Sequence, residues 1–182
     1  MPTEIKVTQD ISSLAYERAR GNLGIKYEKF NLETEQRLSV MTMEAIGELV
    51  FKEFLELQKI SFESRLYSVH QEKYIFILNQ KAIETKTIGF KSPNEWQKLN
   101  GFYDVTQIEK ALASNIYSCV QIFINGYNKV NKLFNKDKCD VAIIAGWMEI
   151  SEILLKQTKY LPLGKAHILQ LEELTETSEL FS

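Results

Sequence analysis

The chain of 182 residues is poor in residues that interrupt secondary structure and in residues that cross-link a fold. It has eight glycines, three prolines and two cysteines, Cys119 and Cys139. The two cysteines lack the CxxC spacing of metal-binding and redox motifs, so we expect two reduced thiols in the core. Internal repeats, low-complexity tracts and linker-like segments are also missing. These absences predict a single domain that spans residues 1–182.

Long apolar runs and a strong charge of either sign are absent as well. No segment approaches the roughly 18 consecutive apolar residues that a membrane-spanning helix needs. The polar N-terminus lacks the apolar region of a signal peptide, so we expect a cytoplasmic protein with no membrane partner. The formal net charge is −2, which argues against a large basic surface for nucleic acid. It remains compatible with a local basic patch beside an acidic cluster.

Histidine is scarce, with His70 and His167 as the only two in the chain. They form no HxxxH or HExxH spacing, which leaves the common zinc motifs without support. No Gly-x-Ser-x-Gly segment accompanies them, as a Ser-His-Asp hydrolase of that type would require. Gly-x-Gly-x-x-Gly and Walker motifs are missing too, so a nucleotide-binding fold built on them is not indicated.

The residues that are present predict an α+β (mixed α/β) domain. Apolar spacing predicts helices at residues 8–20, 38–58 and 148–158. Runs of β-branched and aromatic residues predict strands at residues 26–31, 62–69, 72–78, 81–88, 116–124, 140–147 and, at a sheet edge, 166–171. This order predicts a central mixed β-sheet that contains an antiparallel hairpin and is flanked by helices. The remaining predictions are an N-terminal helical extension over residues 1–37, a loop with short helical pieces over 91–113 and a frayed tail over 172–182.

The most informative segment is the predicted hairpin over residues 73–87. Its strands are rich in Ile, Phe and Tyr, and residues 79–80 form a two-residue turn. Counting outward from this turn places Ile75 opposite Glu84. Because side chains alternate along a strand, Glu84 and Lys86 project from the same face about 7 Å apart.

A carboxylate and a lysine on one face of a strand suit phosphodiester hydrolysis. The Glu84 carboxylate can hold Mg²⁺, and Lys86 can orient the attacking water and offset charge in the transition state. Glu44 and Glu48 lie four residues apart on one face of the 38–58 helix. Residues 45 and 49 beside Glu48 are expected to face the core, which would bring Glu48 close to the sheet.

This region resembles the restriction-endonuclease-like PD-(D/E)xK nuclease superfamily over about residues 40–156. The similar pieces are Gly47-Glu48 on the early helix, the hairpin with residues 83–87, the strand at 142–147 and the helix at 149–155. The resemblance implies a metal-dependent DNA endonuclease in which Glu84 and Lys86 are catalytic and Glu84 and Glu48 bind Mg²⁺ or Mn²⁺. It also implies a homodimer, since two copies cut two strands most simply.

The superfamily places an acidic metal ligand where this chain has Ile75. The nearest acids, Glu63 and Glu72, are poorly placed, and Glu72 has the wrong parity for this face. Three interpretations follow. Glu48 or Glu44 replaces the lost ligand from the helix, or the site is degenerate and only binds nucleic acid or a protein partner. In the third, the Glu-x-Lys match is accidental and the domain is an unrelated α+β fold.

Two further features each have two interpretations. Lys129, Lys132, Lys136 and Lys138 form a basic stretch between two predicted strands. It is either a solvated loop or a loop that contacts phosphates. Trp96 either packs its loop onto the core or stacks on a base.

Overall fold

The computed structural model describes residues 2–23, 33–66, 74–92, 95–161 and 164–181. The helices within these ranges are α1 (Gln9–Asn22), α2 (Thr34–Leu57), α3 (Val105–Ala113) and α4 (Ile150–Ile153). The strands are β1 (Thr3–Lys6), β2 (Glu63–Leu66), β3 (Tyr74–Leu78), β4 (Lys81–Phe90), β5 (Gly101–Asp104), β6 (Ile116–Asn125), β7 (Tyr127–Asn128), β8 (Leu133–Phe134), β9 (Val141–Glu149), β10 (Thr158–Leu161) and β11 (Gly164–Leu169). No helix in the described part of the chain is long and apolar enough to cross a membrane.

Six strands form the main sheet in the order β1-β9-β6-β4-β3-β2. β2, β3 and β4 form an antiparallel meander, β4 and β6 are parallel, and β9 is antiparallel to both β6 and β1. A parallel pair needs a crossover connection, and the chain supplies it through β5 and α3. β5 also joins β10 and β11 in a separate three-stranded sheet. The predicted α+β class with a mixed sheet is therefore confirmed.

The hairpin between β3 and β4 closes through the predicted turn. Asn79 and Gln80 have φ values of 47° and 66°, the left-handed pair that a two-residue hairpin turn requires. Leu78 pairs with Lys81 in the expected register. Both the turn and the register next to it are confirmed.

The two faces of the main sheet carry different layers. On one face, α2 packs so closely on β4 that a Cβ added to Gly47 would lie 1.9 Å from Thr87 Oγ1. Ile83 of β4 belongs to the apolar cluster on that face, together with buried residues of α2. The opposite face meets β5, α3 and α4, where Tyr103 and Cys119 belong to a second apolar cluster. Alternate residues of β4 therefore point into different layers.

The N-terminal residues depart from the predicted helical extension. Thr3–Lys6 form β1, which pairs with β9 through Thr3 to Ile144 and Lys6 to Val141. The extension contains a strand because β9 has a free edge that β1 completes with backbone hydrogen bonds. The predicted strand at residues 26–31 lies outside the described residues.

The C-terminal part also differs from the prediction. β9 continues to Glu149 because it pairs with β6, so only the four residues of α4 remain of the predicted helix over 148–158. β11 lies between β10 and β5 rather than at an edge. Residues 172–181, which belong to the predicted tail, pack on the main sheet, with Leu180 only 4% exposed. Backbone hydrogen bonds between Thr175 and Trp147 hold this segment in place.

Candidate functional site

Glu84 and Lys86 lie together on the face of β4 that meets β5 and α3. They are aligned with Cys119 and Gln121 of β6, whose side chains belong to the same layer. Both are buried, with 3% of Glu84 and 9% of Lys86 exposed. The structure thus brings the two predicted catalytic residues to one face of the strand, although it leaves little of either in contact with solvent.

The crossover from β4 to β6 supplies partners for both residues. The Tyr103 hydroxyl on β5 donates a hydrogen bond to Glu84 Oε1. Lys86 Nζ donates to Gln107 Oε1 on α3 and lies 5.0 Å from the centre of the Tyr103 ring. Burying a carboxylate and an ammonium is costly unless each is hydrogen-bonded. Tyr103 and Gln107 therefore help to keep Glu84 and Lys86 in their observed positions.

Ile75 packs in the apolar layer on the face that holds Glu84. It contacts the cluster that contains Cys119 and Met148. Ile75 therefore contributes to apolar packing, although the resemblance to the nuclease superfamily assigns this position to an acid.

Glu48 lies in a different layer from Glu84. It is 3% exposed, and its Oε2 lies 2.7 Å from the Arg18 guanidinium of α1. The guanidinium also lies 4.4 Å from the centre of the Tyr74 ring. Tyr74 precedes Ile75 in β3, so its side chain points to the opposite face of the sheet. The structure does not bring Glu48 beside Glu84.

These residues do not fit a Mg²⁺ or Mn²⁺ ion. Mg²⁺ prefers six oxygen ligands in a nearly octahedral arrangement. Glu84 offers one buried carboxylate that is already hydrogen-bonded, and Glu48 is paired with a guanidinium. Within the described ranges, no three His, Cys, Asp or Glu side chains are grouped to hold a metal. The metal role predicted for Glu84 and Glu48 stays a prediction, and Glu72 lies outside the described residues.

A cavity of about 430 Å³ opens beside Lys86. Its walls come from α2, β4, β5, the start of α3, the β7–β8 hairpin and the β10–β11 hairpin. We call it the lysine cleft, because four of its six charged lining residues are lysines. The six are Lys86, Lys129, Lys132, Lys165, Glu44 and Asp104. Four lysines and two carboxylates line the cleft, and one of the lysines, Lys129, is paired with Glu95, which leaves a small excess of positive charge in a chain whose formal net charge is −2.

Other residues of the lysine cleft are apolar or aromatic. Phe102, Tyr127 and Met43 contribute flat or flexible apolar surfaces to its walls. Burial raises the pKa of Tyr127, so its hydroxyl stays protonated and able to donate at neutral pH. A cleft with lysines and aromatic rings suits a ligand that carries both phosphate and a flat ring.

The basic stretch seen in the sequence contributes two of its four lysines to the lysine cleft. Lys129 Nζ lies 2.6 Å from Glu95 Oε1, and this hydrogen bond lowers the pKa of Glu95 to about 2. Lys132 lines the same wall. Trp96, by contrast, packs on Phe123 of β6 with ring centres 6.4 Å apart, which supports the packing interpretation of this residue.

Sequence reasoning missed the residues that β5 and α3 bring to the site. Tyr103, Asp104 and Gln107 lie in a stretch predicted as a loop with short helical pieces. One local signal was present, because Asp104 caps α3 by accepting from Thr106 N at 2.7 Å, and Asp before a helical segment is a typical N-cap.

Comparison with known proteins returned no match to any family model, curated protein or solved structure. Any functional assignment therefore depends on the geometry of the site.

Proposed function

We propose that this protein is a restriction-endonuclease-like domain that binds a nucleic-acid strand in the lysine cleft without metal-dependent cleavage. The observation that carries the proposal is the convergence of lysines from β4, the β7–β8 hairpin and β11 on one cavity of about 430 Å³. Binding of phosphates by such a cleft releases counterions from the nucleic acid, which drives association even when no base is read.

The strand arrangement supports the nuclease-like part of the proposal. A helix, α2, precedes an antiparallel meander of β2, β3 and β4, and the α3 crossover then leads to the parallel strand β6. Glu84 and Lys86 lie on β4, where the sheet changes from antiparallel to parallel pairing. This is the helix, hairpin and Glu-x-Lys strand on which the resemblance to the PD-(D/E)xK superfamily is based.

The contacts of the two acids support a role in binding rather than in hydrolysis. Tyr103 holds the Glu84 carboxylate in a nearly dry layer, and Arg18 holds the Glu48 carboxylate on the other face. Ile75 adds an apolar side chain where a second ligand would be needed. Lys86, in contrast, lines the lysine cleft and adds positive charge there.

Binding is tested by fluorescence anisotropy with a short labelled single-stranded oligodeoxynucleotide between about 50 and 200 mM salt. The variants are Lys132→Ala in the cleft and Lys159→Ala, an exposed lysine of β10 that does not line it. We expect Lys132→Ala to weaken binding and to reduce the salt slope by about 0.7, the value for one phosphate contact on a single strand. Lys159→Ala should match the native protein. Equal effects of the two variants, or no salt-dependent binding, would refute the proposal.

Hydrolysis is tested by incubating the native protein and Lys86→Ala with supercoiled plasmid and Mg²⁺ or Mn²⁺. We expect both proteins to leave the plasmid intact. Nicking by the native protein that Lys86→Ala abolishes would overturn the non-hydrolytic part of the proposal. It would instead support the metal-dependent endonuclease predicted from Glu84 and Lys86.

A further inference from the structure

One corner of the lysine cleft carries polar groups that suit a nucleobase better than a phosphate. Asp104 is the N-cap of α3, and Gln107 lies three residues later, so the two side chains are neighbours on the first turn. Both line the cavity. We propose that the cleft binds a single nucleotide, with its base edge on Asp104 and Gln107 and its phosphate toward the lysines. This inference rests on the proposed function and specifies the unit of nucleic acid that the cleft accepts.

Asp104 supplies a fixed hydrogen-bond acceptor. Its Oδ1 accepts from both the backbone N and the Oγ1 of Thr106, each at 2.7 Å. These two bonds orient the carboxylate and leave Oδ2 to accept from an N–H group of a ligand. A carboxylate repels phosphate, so this corner favours the base of a nucleotide over its charged end.

Gln107 supplies a fixed donor beside that acceptor. Its Oε1 accepts the hydrogen bond from Lys86 Nζ, which determines the orientation of the amide and leaves Nε2 as the group that donates to a ligand. An acceptor and a donor side by side match the adjacent donor and acceptor on the Watson–Crick edge of a nucleobase. Pockets that hold a single unstacked nucleotide read this edge in the same way.

The remaining walls suit the other parts of a nucleotide. Phe102, which precedes Tyr103 in β5, is half-buried and lines the cavity, so its ring offers a surface for the face of a base. Lys132 and Lys165 are exposed at the rim, where they can reach phosphate oxygens. The volume of about 430 Å³ falls in the usual range of small-molecule sites, roughly 300–1,000 Å³.

The pocket is tested by isothermal titration calorimetry of the whole protein with dAMP, dCMP, dGMP, dTMP and 2-deoxyribose 5-phosphate. We expect at least one nucleotide to bind about tenfold more tightly than the sugar phosphate, the gain given by base-edge hydrogen bonds. Asp104→Asn keeps the helix cap, and Gln107→Glu keeps the acceptor for Lys86, but each removes one base contact. Each variant should lower the ratio of the nucleotide affinity to the sugar-phosphate affinity about tenfold, because the change of charge acts on the phosphate of both ligands whereas the lost base contact affects only the nucleotide. Asp10→Asn, on the exposed start of α1, is the matched control and should match the native protein.

Three outcomes would overturn the inference. Equal affinity for the nucleotides and for 2-deoxyribose 5-phosphate would mean that the base is not read. Binding of the oligodeoxynucleotide without binding of any mononucleotide would leave the proposed function standing and remove the single-nucleotide pocket. Failure of both the oligodeoxynucleotide and the mononucleotides to bind would overturn the proposed function and this inference together.

Discussion

The ion pair between Arg18 and Glu48 gives a prediction that separates the structural role of Glu48 from its predicted role as a metal ligand. Glu48→Gln keeps the shape of the side chain and removes its charge. It removes the negative charge that lies 2.7 Å from the Arg18 guanidinium, where α1 meets α2. If Glu48 is structural, the change should destabilise the fold in the absence of any metal.

The expected magnitude follows from the burial of the pair. Removing one partner of a buried ion pair costs about 3–5 kcal/mol. The Arg18 side chain is 18% exposed and that of Glu48 is 4% exposed. Because Arg18 keeps some contact with water, we expect the lower end, about 3 kcal/mol. For a domain of this size, that loss lowers Tm by about 6–12 °C.

Thermal unfolding followed by circular dichroism measures this shift. Glu56→Gln is the matched control, because Glu56 lies on the same helix and pairs with Lys52 at 3.7 Å on the surface. An exposed pair contributes about 0–1 kcal/mol, so Glu56→Gln should change Tm little. Combining Arg18→Met with Glu48→Leu should recover stability, since apolar residues often replace a buried pair without loss.

Two results would refute this reasoning. Equal shifts for Glu48→Gln and Glu56→Gln would mean that the buried pair adds no more to stability than a surface pair. A rise in the Tm of the native protein on addition of Mg²⁺ or Mn²⁺ that is lost in Glu48→Gln would assign Glu48 to a metal site instead, because a ligand that binds only the folded state stabilises it.

The remaining predictions concern packing, thiol reactivity and pH. Gly47→Ala should lower the free energy of unfolding by about 1–3 kcal/mol, because the added Cβ would lie 1.9 Å from Thr87 Oγ1. In chemical denaturation Gly21→Ala should be neutral or stabilising, since its Cβ meets nothing within 4 Å. Burial raises the pKa of Cys139 to about 12. Ellman's reagent should therefore label this thiol at pH 8 only when the protein unfolds. Rapid labelling of Cys139 in the native protein would contradict the prediction. The Glu95 carboxyl should titrate by NMR near its lowered pKa of about 2. Its stabilising contribution is therefore present above the ordinary pKa of 4.5 and is lost as pH falls through about 2. A midpoint near 4.5 would show that Lys129 does not pair with Glu95.

The parts of the fold that were predictable are those set by local pattern. The turn at Asn79 and Gln80 follows from two apolar runs separated by two polar residues. The common face of Glu84 and Lys86 follows from the alternation of side chains along any strand. These inferences need no knowledge of the rest of the chain, which is why they hold without a related protein to guide them.

The parts that escaped prediction depend on contacts between distant segments. β5 is a four-residue strand that forms by pairing with β11 about 65 residues later, and its two aromatic residues between Gly101 and Asp104 are too short a run to predict a strand. The start of the predicted helix over 148–158 is instead held extended, because β9 pairs with β6 as far as Glu149. Such tertiary pairing overrides local preference. Tyr103 was missed for the same reason, since its hydroxyl reaches Glu84 only in the position that β5 takes in the fold.

The crossover between the parallel strands explains why the Glu-x-Lys pair is buried and hydrogen-bonded. A parallel pair requires its connection to pass over one face of the sheet, and here that connection places Tyr103 on Glu84 and Gln107 on Lys86. The acid is thereby held in the interior, while the lysine still lines the cleft. Because Gln107 also lines the cleft, the hydrogen bond from Lys86 orients the amide that the proposed nucleotide pocket uses as a donor. The same connection that removes the acid from solvent also places Asp104 and Gln107 in the cleft, so the proposed absence of cleavage and the proposed nucleotide pocket share one structural basis.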